Sequence, residues 1–428
     1  MKIVVIGGGA AGMMFSTQYK KMNPKDEVII LEKSPYVSWA GCPSPYYIAN
    51  ELPLKKVIGS PAQTFIDKGL DVRINTEVLE INYDEKYIKT NVDTLNYDKL
   101  VIAVGAKSTL NIKKENYFTL SHATDAINIK NFIETNKPKN ALILGLGFIG
   151  LEMVEALLLN NINVTVVEKS NEVFNILPLE YRNVLKEKIE EKNVNILLGN
   201  GVKEFNENNV VLENNHKIDF DLLIISTGIT TKTEILGDKL DLLNGKIIVD
   251  NNFKTNIEDV YALGDAVLNK NIITNNYTYA PFGDVANKHG MMLAKILSGK
   301  KSEFIGVNNS YATSFFDLKI AGTGLTEEIA TNKGYNVGKV SMEVLTKNSA
   351  FESSKPGKAE IIYDKDTNLV LGATIIGYEA VAQFIDQISI VIRFKIKIDD
   401  LISIDFAYSP TNASVWNPLL VLYRKVIK

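Results

Sequence analysis

The chain has 428 residues, of which 46% are hydrophobic and 23% charged, a composition typical of a soluble globular protein of two or three domains. Its formal net charge of −3 excludes a basic surface that would draw it to nucleic acid or to an anionic membrane. No apolar run reaches the ~18–20 residues of a membrane-spanning helix, and the first residues lead into glycines rather than a cleavage site, so we expect a cytoplasmic protein without a membrane partner.

The chain contains a single cysteine, Cys42, and three scattered histidines, His122, His216 and His289. One cysteine excludes an intramolecular disulfide framework and any metal site built from several cysteines. Histidines this far apart also argue against a histidine-based metal site. We therefore expect no bound metal.

A glycine-rich turn follows the first apolar run, residues 2–6. Its glycines allow a tight turn, a close approach of backbone to a pyrophosphate, and close packing of the next helix on the strand. The free N–H groups and positive dipole of that helix then face the anion. A carboxylate twenty positions on, Glu32, is placed to bond a ribose 2′-OH. The pattern predicts a dinucleotide site built from Gly7, Gly9, Gly12 and Glu32.

A second glycine-rich turn with the same spacing follows the apolar run 141–144. Here the acidic residue is Glu168, which would repel a 2′-phosphate and so favours NADH over NADPH, although the neighbouring Lys169 softens that preference. Two dinucleotide sites imply an electron path from a nicotinamide to a flavin. The second site is predicted at Gly145, Gly147, Gly150 and Glu168.

Two similar apolar runs, residues 100–105 and 222–228, lie at similar distances after their glycine motifs and end in Gly105 and Gly228. Continuous apolar runs are typical of parallel strands covered on both faces. We therefore predict an α/β fold with two tandem Rossmann-like modules, the second inserted within the first. Both terminal glycines are predicted to border the cofactor sites.

After about residue 307 the pattern changes to β-rich stretches at 359–363 and 370–376, followed by a helical segment at 381–394. This change predicts a separate α+β domain. The predicted boundaries are 1–112 with 242–306 for the flavin domain, 113–241 for the NAD(P)H domain and 307–428 for the third domain.

A third signal lies at residues 255–266, where a Gly-Asp pair follows a strand-like run. This segment resembles the second flavin motif of the pyridine nucleotide–disulfide oxidoreductase family. The resemblance implies that FAD is the flavin and that Asp265 bonds its ribityl chain. It covers almost the whole chain and implies that the third domain builds a homodimer.

The segment around Cys42 resembles that of coenzyme A-disulfide reductases and of the related single-cysteine NADH oxidases and peroxidases. The matching residues are Ser38, Cys42, Pro45 and Tyr46, while Trp39 stands where the family has Phe. Pro43 suits the first turn of a helix, so Cys42 is expected at a helix N-terminus, where the dipole stabilises a thiolate and lowers the thiol pKa. The alternative is a buried cysteine that acts as a small hydrophobe.

A lone cysteine must cycle through a mixed disulfide, a persulfide or a sulfenic acid. Peroxidases and water-forming oxidases of this group carry a His within the first glycine loop, where this chain has Ala10. That difference favours the reductases. The resemblance implies that Tyr408, in an Ala-Tyr-Ser-Pro segment, donates a proton from the partner subunit; a packed structural tyrosine is the alternative.

Two departures leave the acceptor open. The family's second tyrosine precedes a Pro-Gly, but residues 353–357 read Ser-Ser-Lys-Pro-Gly, which puts polysulfide, sulfur or another small disulfide beside coenzyme A disulfide as the substrate. Phe148 stands where the family often has Tyr, and it either covers the flavin until NADH displaces it or packs as a core residue.

The sequence therefore predicts an FAD-dependent NADH oxidoreductase, with NADPH as the second option, that reduces a small-molecule disulfide or sulfur substrate through Cys42. The main alternative is an NADH oxidase or peroxidase that cycles through a cysteine sulfenic acid. Two further readings are a flavoprotein that passes electrons to a redox protein without needing the cysteine, and a nucleotide-responsive binding module.

Overall fold

A computed structural model describes residues 1–345, 348–352 and 354–426, and the chain divides into two compact units. The segment 172–193, which the sequence placed in the second module, belongs to the second unit. The units therefore do not follow the predicted domain boundaries, which stay a prediction. The first unit comprises Met1–Asn171, Val194–Lys270 and Tyr277–Gly306; the second comprises Glu172–Asn193, Asn271–Asn276 and Val307–Lys428.

The first glycine motif lies at the carboxyl end of the central strand of a parallel sheet. That strand, Lys2–Ile6, is flanked by Glu27–Leu31 on one side and Lys99–Ile102 on the other. Its β-branched residues are almost fully buried: Ile3 and Val5 pack against the helices Ala10–Met22 and Gly283–Leu297, and Val4 and Ile6 pack against a small antiparallel sheet formed by residues 78–96. The strand order is Val260–Ala262, Lys99–Ile102, Lys2–Ile6, Glu27–Leu31, Asp71–Arg73.

The second glycine motif occupies the equivalent place in a second parallel sheet. Its central strand, Asn140–Leu144, pairs with Asn163–Glu168 and with Leu222–Ile225. The strand order is Asn195–Leu198, Asn163–Glu168, Asn140–Leu144, Leu222–Ile225, Tyr117–Thr119. The two modules thus share one plan, and each places its glycine turn at a topological switch point, where open α/β sheets bind ligands.

The chain passes between the two sheets through an antiparallel ribbon. Ala106–Ser108 leaves the first sheet and pairs with Ile229–Thr231, which returns from the second. The edge strand Val260–Ala262 of the first sheet follows this return, so the second module is inserted within the first.

The second unit is built on an antiparallel sheet, in which Val370–Gly377 is buried along its whole length. The helix Val381–Arg393 covers it with an apolar face that includes Phe384, Ile385 and Ile388. The strand order is Tyr311–Phe315, Leu318–Gly324, Val370–Gly377, Gly357–Asp364, Val337–Val344. The predicted fold class, two Rossmann-like modules and a C-terminal α+β domain, is confirmed.

The helix of the first glycine motif ends in positively charged residues. Ala10–Met22 begins after Gly9 and has Lys20 and Lys21 in its last turn, where positive charge stabilises the helix dipole. The α-helices are Ala10–Met22, Ser44–Ile48, Ala62–Ile66, Ala123–Asn136, Phe148–Leu159, Leu179–Glu190, Gly283–Leu297, Glu327–Asn332, Val381–Arg393 and Pro418–Val426. Short 3₁₀ turns lie at Leu54–Lys56, Gly264–Ala266 and Ile398–Ser403.

Small antiparallel sheets complete the first unit. They are Val78–Asn82 with Tyr87–Thr90 and Thr94–Asn96; Val202–Phe205 with Asn209–Leu212 and Lys217–Asp219; Leu242–Leu243 with Lys246–Ile247; and Asn269–Lys270 with Tyr277–Thr278. Both strands of the last of them belong to the first unit, whereas residues 271–276, which connect these strands, belong to the second unit. Within the described ranges, no helix has both the length and the apolar character needed to cross a bilayer.

Candidate active site

Of the three glycines in the first motif, only one has open space where a Cβ atom would lie. Gly7 has φ +108°, and a Cβ on it would lie 2.2 Å from the carbonyl oxygen of Ala103. A Cβ on Gly12 would lie 2.0 Å from the Gly7 oxygen, so these two glycines are required by the turn and by helix–strand packing. At Gly9 the nearest atom is 4.0 Å away, in the side chain of Trp39. This opening fits the close approach of a pyrophosphate.

The second glycine turn repeats the arrangement. Gly145 has φ +92°, and its Cβ would lie 2.6 Å from the Ser226 oxygen. A Cβ on Gly150 would lie 2.1 Å from the Gly145 oxygen, whereas a Cβ on Gly147 would meet nothing within 4 Å. Both turns therefore present the same bare backbone at the start of a helix, which is the geometry of an anion site.

The two predicted acidic residues are held in the same way. Glu32 is buried and accepts hydrogen bonds from Gly8 N and Ser34 N, each at 2.8 Å. Glu168 accepts from Leu146 N and Ser170 N, each at 2.7 Å. Each carboxylate is thus fixed beside its glycine turn with further acceptor positions available. This is the placement that a ribose hydroxyl requires.

Asp265 lies in the 3₁₀ turn Gly264–Ala266, and several hydrogen bonds hold the backbone of that turn. Gly264 N donates to His289 Nδ1 at 3.2 Å, Tyr279 OH donates to the Asp265 carbonyl at 3.0 Å, and Thr231 Oγ1 donates to the Ala266 carbonyl at 3.3 Å. Burial raises the pKa of the Asp265 carboxyl to about 6, while Lys232 opposes the rise. A buried carboxylate of this kind fits a hydroxyl-rich ligand that would donate hydrogen bonds to it.

The other predicted cofactor residues contribute backbone geometry. Ser38 has φ +54°, and its N–H donates to the Gly8 carbonyl at 2.8 Å, which ties the cysteine segment to the first glycine turn. Gly105 and Gly228 have φ +68° and +111° at the ends of the antiparallel ribbon. Thr109 N donates to the Gly228 carbonyl at 3.0 Å. Contact of these three residues with a cofactor stays a prediction.

Cys42 is exposed, which contradicts the alternative of a buried apolar cysteine. It precedes the helix Ser44–Ile48, whose N-cap is Pro43. The expectation that Pro43 lies within the first helical turn is therefore wrong by one position, and Cys42 lies at the N-terminal end of the helix, directly before its N-cap. A five-residue helix also carries only a small dipole, because the dipole sums over aligned peptide units.

The predicted lowering of the Cys42 pKa is also wrong for the protein chain by itself. Loss of hydration raises the pKa of the thiol, and the negative charges of Glu152, Asp265 and Asp284 raise it further. The backbone N–H of Cys42 acts in the opposite direction without reversing the shift. Although Cys42 is exposed as a residue, partial burial of its thiol and the neighbouring carboxylates together disfavour the thiolate.

Phe148 is half-buried and begins the helix Phe148–Leu159. Its ring meets that of Phe282 edge-on, with 5.9 Å between centroids and an interplanar angle of 89°. Because Phe282 is the N-cap of the helix Gly283–Leu297, the pair joins the helix of the second glycine motif to a helix beside the Asp265 turn. This contact leaves the predicted covering role of Phe148 untested.

Tyr408 lies in the second unit, in the segment that follows the 3₁₀ turn Ile398–Ser403, and its side chain is 49% exposed. The side chain is accessible in the single chain, and both the proton-donating role and the packed structural tyrosine stay predictions. In the other segment singled out by the sequence, Ser353 lies outside the described residues.

The sequence analysis missed Glu152 and Asp284, whose charges act on the Cys42 thiol. Glu152 lies four positions after Phe148 and therefore on the same helix face, a spacing that was visible in the sequence. It also missed His122, whose Nδ1 accepts from Thr124 N while its buried Nε2 has no hydrogen-bond partner among the described residues. The His122 ring lies 4.5 Å from that of Trp39, beside the Gly9 opening. A polar ligand at this opening would suit the unused nitrogen.

The site contains two glycine cradles, which are the turns at residues 7–12 and 145–150, together with a buried aspartate on a tight turn and an exposed lone cysteine. These features define a flavin- and nicotinamide-type oxidoreductase. Residues 1–296 match the family described as pyridine nucleotide-disulphide oxidoreductase, and residues 311–419 match its dimerisation domain. The chain belongs to the pyridine nucleotide-disulphide oxidoreductase family, whose members depend on FAD and a pyridine nucleotide.

Relatives in this family cover nearly the whole chain. An NAD(P)H sulfur oxidoreductase (CoA-dependent) of Pyrococcus furiosus is 32% identical and covers 99% of this chain and 98% of its own length. An NADH oxidase of Methanocaldococcus jannaschii is 28% identical over 100% of this chain and 99% of its own. The solved structure of an NAD-dependent persulfide reductase from A. fulgidus is similar with a TM-score of 0.95 and 30% identity, over 100% of this chain and 83% of that one.

Proposed function

We propose that this protein is an FAD-dependent NADH oxidoreductase that reduces a disulfide or polysulfide-type acceptor through Cys42. The observation that carries the proposal is the exposed thiol of the lone cysteine in the same compact unit as the two glycine cradles. When bound, the flavin accepts a hydride from the nicotinamide and passes an electron pair to sulfur.

The cysteine supplies the chemistry of the acceptor step. The Cys42 thiolate attacks one sulfur of the acceptor R–S–S–R, forms Cys42–S–S–R and releases RS⁻, which takes up a proton. An electron pair that originates in NADH then cleaves this bond and, with one more proton, releases RSH and restores the Cys42 thiolate. With polysulfide the bond formed is a persulfide and the product is sulfide. Each cycle consumes one NADH, one acceptor and one proton from solvent, because the hydride of NADH carries the electron pair together with the second proton.

Proton delivery to the leaving thiolate is assigned to Tyr408 of a partner subunit in a homodimer. The match of residues 311–419 to the family's dimerisation domain supports the dimer, and the 49% exposure of Tyr408 supports an accessible hydroxyl.

The preference for NADH follows from the fixed carboxylate of Glu168, since a 2′-phosphate at the same ribose would meet its negative charge at close range. The first glycine turn is assigned to FAD because the Asp265 turn lies in the same module as that sheet. We also assign a cytoplasmic location, where thiols are kept reduced.

The test is anaerobic titration of the purified protein with NADH, followed by coenzyme A disulfide, tetrasulfide, oxygen or peroxide in separate samples. We expect NADH to bleach the flavin, and disulfide or polysulfide to restore its colour faster than oxygen does. The Cys42→Ser variant should bleach normally and fail to recover with disulfide or polysulfide. Undiminished turnover of these acceptors by Cys42→Ser would exclude the cysteine route.

The second candidate is an NADH oxidase or peroxidase that cycles through a sulfenic acid on Cys42. The NADH oxidase relative of M. jannaschii is the observation that favours it. NADH consumption with oxygen or peroxide at rates that match the best disulfide acceptor would decide for this candidate.

A further inference from the structure

A buried lysine, Lys130, points its ammonium group at the helix that follows Cys42. Lys130 lies in the middle of the helix Ala123–Asn136 and is 6% exposed. Its Nζ donates to the carbonyl oxygens of Tyr47 at 3.1 Å and Ile48 at 3.3 Å, and to Asn50 Oδ1. An ammonium has three N–H donors, and all three are used by this one short segment.

The carboxyl end of a helix is where such a cation is most stabilising. The Tyr47 carbonyl also accepts from Asn50 N at 3.2 Å, and the Ile48 carbonyl accepts from side chains, so Lys130 acts here mainly through its hydrogen bonds and little through the dipole of a five-residue helix. The Lys130 ammonium also lies 5.3 Å from the centroid of the Tyr47 ring, which is within reach of a cation–π contact. Burial lowers the pKa of Lys130, while the negative charge of Glu134, whose Oε1 lies 3.9 Å from the ammonium, opposes that lowering.

A second side chain holds the same end of the helix. Asn160, the C-cap of the helix Phe148–Leu159, donates from Nδ2 to the Ile48 carbonyl at 2.9 Å. Asn50 links Lys130 to Asn160, because its Oδ1 accepts from Lys130 and its Nδ2 donates to Asn160 Oδ1 at 3.1 Å. Asn50 has φ +68°, a left-handed conformation that Asn tolerates better than most residues.

The opposite end of this helix carries the redox sulfur. Ser44 N donates to the Gly41 carbonyl at 2.9 Å and Tyr47 N donates to the Pro43 carbonyl at 3.0 Å, so Cys42 lies within a continuous hydrogen-bonded turn. Lys130 and Asn160 both come from helices that border the second glycine motif. The segment that carries Cys42 is thereby fixed to the module assigned to the nicotinamide.

We propose that Lys130, together with Asn50 and Asn160, is a positioning residue that sets the place of the Cys42 sulfur for the acceptor step. It does not contact the acceptor, since its three donors are already used. This inference rests on the proposed function, because it requires Cys42 to be the redox sulfur. Loss of the contact should slow the step in which Cys42 attacks sulfur and leave reduction of the flavin by NADH unchanged.

The experiment compares the two half-reactions in the FAD-loaded protein by anaerobic stopped-flow absorbance. Lys130→Met removes the charge and the donors at nearly constant length, and Lys130→Arg returns a cation with several donors. Lys139→Met is the matched control, because Lys139 is exposed on the connection that follows the same helix. The acceptors are coenzyme A disulfide and sodium tetrasulfide.

For Lys130→Met we expect flavin reduction by NADH within twofold of the parent, and reoxidation by both acceptors slower by roughly tenfold or more, since small displacements of reacting groups cost rate on that scale. Lys130→Arg should recover most of the lost rate, and Lys139→Met should match the parent. Unchanged reoxidation in Lys130→Met, or equal slowing of both half-reactions, would overturn the proposal.

Two further variants keep the outcome decisive. If Lys130→Met does not bind FAD, Asn160→Ala is judged by the same two half-reactions, with slower reoxidation and normal reduction expected. Cys42→Ser separates the two levels of the argument. Disulfide turnover that survives in Cys42→Ser refutes the proposed function itself, whereas loss in Cys42→Ser with normal reoxidation in both Lys130→Met and Asn160→Ala refutes only the positioning role.

Discussion

The backbone N–H of Leu146 donates a 2.7 Å hydrogen bond to the carboxylate of Glu168, so the middle residue of the second glycine turn fixes the acidic residue at the end of the next strand. The first module has the same bond, from Gly8 to Glu32 at 2.8 Å. The bond holds the carboxylate in one place. We therefore predict that Glu168 discriminates between ribose and its 2′-phosphate as a fixed carboxylate rather than as a mobile surface charge.

This rigidity leads to a prediction about cofactor choice. Replacing Glu168 by Ala should remove the negative charge that a 2′-phosphate would meet, and should shift the ratio of kcat/KM for NADH to that for NADPH by about tenfold or more toward NADPH, which is about 1.4 kcal/mol. Steady-state kinetics with both nucleotides measures the shift. Lys169→Ala should move the ratio in the opposite direction, and an unchanged ratio in Glu168→Ala would assign nucleotide choice to other residues.

The glycines of each turn should separate folding from cofactor binding. Ala at Gly12 would place its Cβ 2.0 Å from the Gly7 carbonyl oxygen, so we expect a loss of about 1–3 kcal/mol or more in the free energy of unfolding. Ala at Gly9 meets nothing closer than 4.0 Å and should leave the cofactor-free fold intact while weakening FAD binding. Denaturant unfolding and flavin fluorescence distinguish the two variants. Equal loss of stability in both would contradict this division.

The environment of Cys42 predicts an unusual pH dependence in the flavin-free protein. Loss of hydration and the charges of Glu152, Asp265 and Asp284 raise the thiol pKa above its ordinary value of 9.0, so alkylation by iodoacetamide should still be increasing at alkaline pH, where a free thiol has levelled off. Glu152→Gln removes one negative charge and should shift the alkylation profile to lower pH. A profile that Glu152→Gln does not move would show that Glu152 does not contribute to the raised pKa of the thiol.

Asp265 predicts opposite effects in the flavin-free and FAD-loaded protein. Its pKa rises from 3.8 to about 6 on folding, so protonation favours the folded state: this stabilising contribution is complete below pH 3.8 and is lost as pH rises through about 6. Flavin-free Asp265→Asn should therefore have a higher Tm than the parent near pH 8 and a similar Tm near pH 4. The same variant should bind FAD more weakly. A Tm difference that is the same at both pH values would contradict the assignment.

Tyr408 predicts a defect confined to the acceptor step. Because its exposed hydroxyl is proposed to protonate the leaving thiolate at the partner's Cys42, Tyr408→Phe should lower kcat with disulfide acceptors by roughly 10²-fold, the scale of general acid catalysis, without changing flavin reduction by NADH. Tyr335→Phe, in the same unit, is a control whose ring should be unrelated to catalysis. Normal disulfide turnover in Tyr408→Phe would remove it from the mechanism.

The sequence by itself determined the fold class and the two cradles, because these depend on local rules. Gly7, Gly12, Gly145 and Gly150 are required wherever a strand turns this tightly into a helix, and the continuous apolar runs are typical of covered parallel strands. The spacing between each glycine turn and its acidic residue, Glu32 or Glu168, can likewise be read directly from the sequence. The resemblance of the segment around Cys42 to single-cysteine members of the family predicts its redox role, which stays a prediction.

Only the tertiary structure decided the chemistry around that cysteine. The helix after Cys42 begins one residue later than expected and is too short for its dipole to dominate, while Glu152, Asp265 and Asp284 approach the sulfur from helices and turns far away in sequence. Lys130 and Asn160 reach the same helix from 80 to 112 residues along the chain. Electrostatics and positioning depend on distances in space, and a reading of neighbours along the chain cannot supply them.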